Sequence, residues 1–294
     1  MSYTDLPPEV LEHHFNPRAA ARGVDGKIGR MVARSAEVRA RYRHRSDVPY
    51  GEGLAETADI FFPREPASAG GAPVQLFVHG GYWRAMDKRD YSFLAAPFVD
   101  AGAMAVVINY GLAPAVTLDE IVRKTVRSIA WTYRSIGAYG GDPERLYLSG
   151  NSAGGHLVAM ALAHDWTGEG LPADLVKGAA AISGVMDLAP VLRISVNEDV
   201  RLDPGMAHRN SPIHCPPLHD VPLIIAVGGA EPAGWVEMSR AYLKVCEASG
   251  LHPRYLEMSG ADHFDISVAL GDAGSELTLA VLRQMGLGDA SRNR

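Results

Sequence analysis

Short apolar runs recur along this chain at 58–62, 74–78, 103–109, 146–148, 178–183, 222–228 and 254–258, separated by longer stretches with a different rhythm. Between 118 and 133, Leu118, Ile121, Val122, Thr125, Val126, Ile129, Ala130 and Tyr133 recur at the three-and-four spacing of a one-sided helix. Helices are also expected over 88–102, over the run 157–163, and over 234–249, closed by Gly250. Short runs that are apolar throughout fit strands buried on both faces. Strands alternating with helices predict an α/β fold, a mostly parallel sheet covered on both sides. Ligands of such sheets bind beyond the carboxyl ends of the strands. His79, Ser152, Ser183 and Gly228 begin at those ends, with His263 just past the last strand. No internal repeat and no linker interrupts the pattern, so residues 1–294 read as one domain.

The first 46 residues break the alternation. A short helix is expected over 9–15, ended near Pro17, and a second over 27–45. The second carries Lys27, Arg30, Arg34, Arg39, Arg41, Arg43 and Arg45 against Glu37 alone. Such a face can draw an anion or a membrane surface. Its apolar positions (Ile28, Met31, Val32, Val38, Tyr42) are few and no anchor flanks it, so a solvated face is the expectation. This extension is expected to act as a lid that covers the site and chooses the substrate. A turn is expected at 48–51, and a Pro, Ala, Gly and Ser rich loop at 64–73.

Composition narrows the classes. With 294 residues, 47% of them hydrophobic, the chain can bury a sizeable core. A net charge of −6 argues against a nucleic-acid binder. The start, Met1 to Pro8, has neither the basic residues nor the apolar core of a secretory signal. No apolar run approaches the roughly 20 residues of a membrane span. The expectation is a cytoplasmic protein with a small-molecule substrate and no membrane partner, for which a homodimer is an open arrangement. Cys215 and Cys246 sit in no metal spacing and read as reduced. His208, His214, Cys215 and His219 cluster, but among Pro212, Pro216 and Pro217 and without regular spacing, so a surface loop is expected, with no metal and no cofactor.

The chemistry centres on Gly150-Asn151-Ser152-Ala153-Gly154, which follows an apolar run and precedes a helix-forming one. Strand, sharp turn and helix form the setting of a nucleophile elbow, with Ser152 held above the sheet at a helix N-terminus. A serine hydroxyl needs a base, and His263 follows the last strand, where the order serine, acid, histidine would put it. The orienting acid should lie between them. Glu231, after the run 222–228, is favoured; Asp187 is the runner-up, while Glu237 lies inside a helix and Asp262 is too close in sequence to turn back. The tetrahedral oxyanion needs donors. Those expected are the backbone N–H groups of Gly81, Tyr82 and Ala153, the first two from the loop His79-Gly80-Gly81-Tyr82-Trp83. Trp83 is a candidate for the substrate pocket.

On these motifs the chain resembles an α/β-hydrolase, and over most of its length the arylformamidase (kynurenine formamidase) group, itself close to the hormone-sensitive-lipase type of esterases. The resemblance rests on His79-Gly80-Gly81-Tyr82-Trp83, Gly140-Gly141-Asp142-Pro143, the run Gly150 to Gly155, Val48-Pro49-Tyr50-Gly51 and His263-Phe264-Asp265-Ile266. It implies a triad on Ser152, Glu231 and His263, with Glu231 standing where many relatives have Asp. Gly111 departs from the esterases' Tyr-Arg-Leu-Ala-Pro. Formamide hydrolysis, short-chain ester hydrolysis and ligand binding without catalysis are the functions to be weighed.

Overall fold

The computed structural model describes residue 3 and residues 6–65 and 70–288. Residues 66–69, within the expected 64–73 loop, and most of the stretch before Leu6 lie outside the described residues.

The strands are β1 (His44–Pro49), β2 (Thr57–Phe61), β3 (Ala72–Val78), β4 (Met104–Ile108), β5 (Gly141–Asn151), β6 (Val176–Ile182), β7 (Leu223–Gly228) and β8 (Arg254–Met258). They form one sheet in the order β1-β2-β4-β3-β5-β6-β7-β8. β1–β2 and β2–β4 pair antiparallel; the other pairs are parallel. Alternate side chains leave on opposite faces. Val74, Leu76 and Val78 of β3 enter one core while Phe77 enters the other. Likewise Leu223 and Ile225 of β7 face away from Ile224 and Ala226. Burial on both faces explains why these strands read as unbroken apolar runs.

Helices Leu118–Ser135, Ala153–Leu162 and Ala233–Ala248 cover the first face. Val24–Arg41, Ala95–Asp100, His263–Ala269 and Glu276–Gln284 cover the second. The helix Leu118–Ser135 starts at a capping box: the Thr117 hydroxyl accepts from Glu120 N–H, and the Glu120 carboxylate accepts from Thr117 N–H. The expected helix over 88–102 is instead a 3-10 turn, Lys88–Leu94, followed by Ala95–Asp100. Pro97 has no N–H to give and fits only the first turn of a helix, so the α-helix begins just before it.

The second N-terminal helix does not run to Arg45. It ends at Arg41, and His44–Pro49, in part expected as helix and turn, is the edge strand of the sheet. An edge strand keeps one side in water and tolerates charge. The Arg43 and Arg45 guanidiniums lie over the rings of Phe62 and Tyr139, and Val48 is the buried residue of this strand. The helix Val24–Arg41 itself buries Met31 and Ser35 against the sheet domain. Among the described residues, no helix is long and apolar enough to cross a membrane.

Candidate active site

β5 delivers the elbow. Ser152 has φ 55° and ψ −121°, a left-sided conformation that costs energy for a side-chain-bearing residue. Its surroundings hold it there. Ser152 N–H donates to Ile182 O (2.8 Å), and Ser152 O accepts from His156 N–H (3.1 Å). A Cβ on Gly150 would overlap the Gly154 carbonyl, and one on Gly154 would overlap Val78 O, so neither position admits a side chain. The helix Ala153–Leu162 starts at Ser152 and directs its free N–H groups toward the hydroxyl end of the turn.

β6 and β7 deliver the acid. Glu231 Oε1 accepts from Gly228 N–H (2.7 Å) and from the Ser183 hydroxyl; Oε2 faces His263 Nδ1 at 2.6 Å. The pair is buried, with side-chain exposures of 6% for His263 and 0% for Glu231. Because the carboxylate can only accept, the histidine proton belongs on Nδ1, which leaves Nε2 free to act as a base. His263 is the first residue of the helix His263–Ala269, whose capping box pairs Asp262 with Asp265. The Trp235 ring packs on the imidazole with centroids 4.3 Å apart.

The other candidate acids are engaged elsewhere. Asp187 accepts from Ala189 N–H (2.9 Å), Glu237 from the Tyr3 hydroxyl, and Asp262 from the backbone of Phe264 and from Lys27.

β3 leads into the glycine loop. Gly81, Tyr82 and Trp83 all have positive φ (115°, 51° and 58°), which bends the backbone around the elbow. Gly80 N–H is taken by Asn151 Oδ1 (3.1 Å). Among the described residues, the N–H groups of Gly81, Tyr82 and Ala153 have no protein acceptor. His79 braces the loop. Its ring stacks on Tyr110 (4.4 Å) and its Nδ1–H donates to Gly80 O (2.7 Å). Burial pushes its pKa down to about 4, so the ring is neutral.

Ser152, His263, Gly81 and Tyr82 border one cavity of about 350 Å³. Among the described residues, no direct hydrogen bond joins Ser152 to His263. The opposite wall comes from the N-terminal extension through Asn16, Arg18, Ile28 and Met31. Trp83 does not border this cavity: it is fully buried, edge-on to His156 at 5.0 Å. The positive φ of Trp83 turns its side chain inward, behind the loop. The His156 ring itself bonds Asn210 O (2.7 Å) rather than Ser152.

Three residues have roles that the sequence alone did not assign, Ser183 among them although it stands at one of the expected strand ends. Ser183 orients Glu231 from the next strand end. Asn151 joins three parts of the site, bonding Gly80 through Oδ1 and the Ser267 hydroxyl through Nδ2 (2.8 Å), while Ser267 donates to His263 O (2.8 Å). A polar residue at the end of an otherwise apolar strand was the signal available for both. Lys27, read as part of a solvated basic face, bonds Asp262 and Asp265 instead. At the 208–219 cluster, the His208 and His214 rings lie 4.3 Å apart and Cys215 Sγ–H bonds Arg209 O.

A mostly parallel sheet with a serine elbow, a strand-end carboxylate and a histidine past the last strand is the architecture of the α/β-hydrolases. Residues 75–263 match the family described as alpha/beta hydrolase fold, and the chain belongs to that family as a hydrolase enzyme. It is 32% identical to the kynurenine formamidase of Danio rerio over 97% of both chains. It is also 32% identical to the esterase LipQ of Mycobacterium tuberculosis, over 76% of this chain and 58% of LipQ. Among solved structures, a candidate thioesterase from Silicibacter sp. TM1040 superposes with a TM-score of 0.78 at 29% identity, covering 91% of this chain and 97% of that one.

Proposed function

We propose that this hydrolase deformylates an aryl formamide of the N-formylkynurenine type through an acyl-enzyme. Ser152 Oγ attacks the formyl carbon while His263 Nε2 takes its proton. The oxyanion is received by the N–H groups of Gly81, Tyr82 and Ala153, each donor worth roughly 3–4 kcal/mol of barrier. His263 then protonates the departing arylamine nitrogen, and the C–N bond breaks to leave formyl-Ser152. Water, deprotonated by the same imidazole, releases formate and restores the serine. Glu231 holds the Nδ1–H tautomer and balances the imidazolium as it forms.

The observation that carries the formamide reading is the reach of the similarity. It extends over 97% of the formamidase and so includes the N-terminal segment that walls the cavity with Asn16, Arg18, Ile28 and Met31. We assign that segment the role of choosing the substrate. The likeness to LipQ favours a second reading, a short-chain carboxylesterase on the same machinery.

The test compares kcat/KM on N-formylkynurenine and on p-nitrophenyl acetate, in the native chain and in Ser152→Ala. A formamide preference abolished in the variant is the expected result. Ester turnover with negligible deformylation would move the protein to the esterases. Failure of a fluorophosphonate to label the native chain would leave a ligand-binding protein without catalysis.

A further inference from the structure

We propose that Lys27, in the helix Val24–Arg41, is a positioning residue that fixes the turn presenting His263. Its Nζ lies 2.5 Å from Asp262 Oδ2 and 2.8 Å from Asp265 Oδ1, across 235 residues of sequence to the first of these. The ammonium is largely withdrawn from water, with 17% side-chain exposure, and Asp262 is at 23%. These two carboxylates are the ones that shape the first turn of the helix His263–Ala269. Asp262 Oδ1 accepts from the N–H groups of Phe264 (2.9 Å) and Asp265 (3.0 Å), and Asp265 Oδ2 accepts from Asp262 N–H (3.2 Å). His263 is the residue enclosed by this reciprocal cap.

The cap brings two like charges together. Without a cation between them they repel, and the turn opens at the position from which the imidazole departs. Lys27 neutralises both. The remaining restraints on His263 act on its ring or on the far side of its backbone: Glu231 at Nδ1, Trp235 against the ring face, and Ser267 at the carbonyl. Lys27 is thus the side-chain tie on the entry side of the turn, beside the backbone bond from Ala230 N–H to Ala261 O (3.0 Å). It also couples two parts of the site, because Ile28 and Met31 of the same helix stand on the cavity wall.

The inference rests on His263 acting as the base, and its test is arranged to keep the two apart. Lys27→Met, Lys27→Arg and Asp265→Asn are compared with the native chain for kcat and KM on N-formylkynurenine and p-nitrophenyl acetate, for the rate of fluorophosphonate labelling, and for Tm. Lys27→Met is expected to lower kcat and the labelling rate together by about tenfold on either substrate, with KM changed less than about twofold. Lys27→Arg should restore most of the loss. Asp265→Asn, which removes one of the two repelling charges and keeps the Asp262 cap, should leave kcat within about twofold and, added to Lys27→Met, should recover most of that variant's loss; the double variant also covers the case in which Lys27→Met alone does not fold. An unchanged kcat in Lys27→Met, no recovery in the double variant, or a fall in Tm without a fall in kcat, overturns the proposal. Full activity in a His263→Ala control would instead sink the assignment of the base.

Discussion

Glu231 and His263, 32 residues apart in the chain, meet at 2.6 Å inside the protein, and the glutamate's second oxygen is anchored by Gly228 N–H and the Ser183 hydroxyl. One carboxylate therefore joins the ends of β6 and β7 to the imidazole. Glu231→Gln keeps the shape but can offer an N–H where only an acceptor serves, favouring the wrong histidine tautomer. A loss in kcat of about 10³-fold or more is expected, with little change in KM or Tm. Glu231→Asp is shorter by one methylene and cannot satisfy both its anchors and His263. It should retain activity intermediate between the two. Steady-state kinetics on a chromogenic ester measure this, and a Glu231→Gln variant within about tenfold of the native kcat would remove Glu231 from the mechanism.

The central strands were legible because burial on both faces writes them as unbroken apolar runs, β3 and β7 most plainly. The elbow was legible because Gly150 and Gly154 stand where no side chain fits. β1 was hidden by the same physics acting in reverse. As an edge strand it exposes Arg45, Ser46 and Asp47, and its polar sequence continues that of the basic helix before it. Trp83 shows another limit. An aromatic residue in a site loop reads as a pocket wall, yet a positive φ turned this one into the core. The polar ties of Lys27 to Asp262 and of Asn151 to Ser267 span so much sequence that no local pattern announces them. Chain order nominated Glu231 over Asp187, but only the packing of β6 beside β7 supplies Ser183 to orient it.

Acid should weaken the fold through two buried histidines. Burial pushes His79 and His156 down to about 4 from the usual 6.5. Between those values the unfolded chain binds a proton that the folded chain refuses. Stability is therefore complete above about pH 6.5 and is lost as pH falls toward 4. The loss between pH 7 and pH 5 is about 2 kcal/mol for each histidine. Rather than Ser152, the His156 ring bonds Asn210 O through Nε2, a bond that a Gln side-chain amide can reproduce. Urea titrations at the two pH values should give His156→Gln a drop smaller than the native one by about 2 kcal/mol. An equal drop in the two proteins would mean that His156 is not held neutral.

The extension is tied to the sheet by charge as well as by packing. Asp59 of β2 is wholly buried and is met by Arg39 of the helix Val24–Arg41 and by Lys88 Nζ at 3.3 Å; Lys88 also reaches Asp47 at 2.5 Å. Lys88 is itself buried, at 1% exposure, so both charges have given up water and depend on each other. Removing Lys88 leaves Asp59 with Arg39 and the Asp47 N–H (2.9 Å) as partners, so the desolvation of its charge stays partly compensated. Lys88→Met should therefore destabilise the protein in urea unfolding by less than the roughly 3–5 kcal/mol of a buried charge left wholly unpaired. Asp59→Asn should cost less when added to that variant than when made in the native chain, because one of the partners of the charge is already gone. Simple additivity of the two single costs would instead mean that the two charges do not interact, and that the buried lysine contributes only its packing.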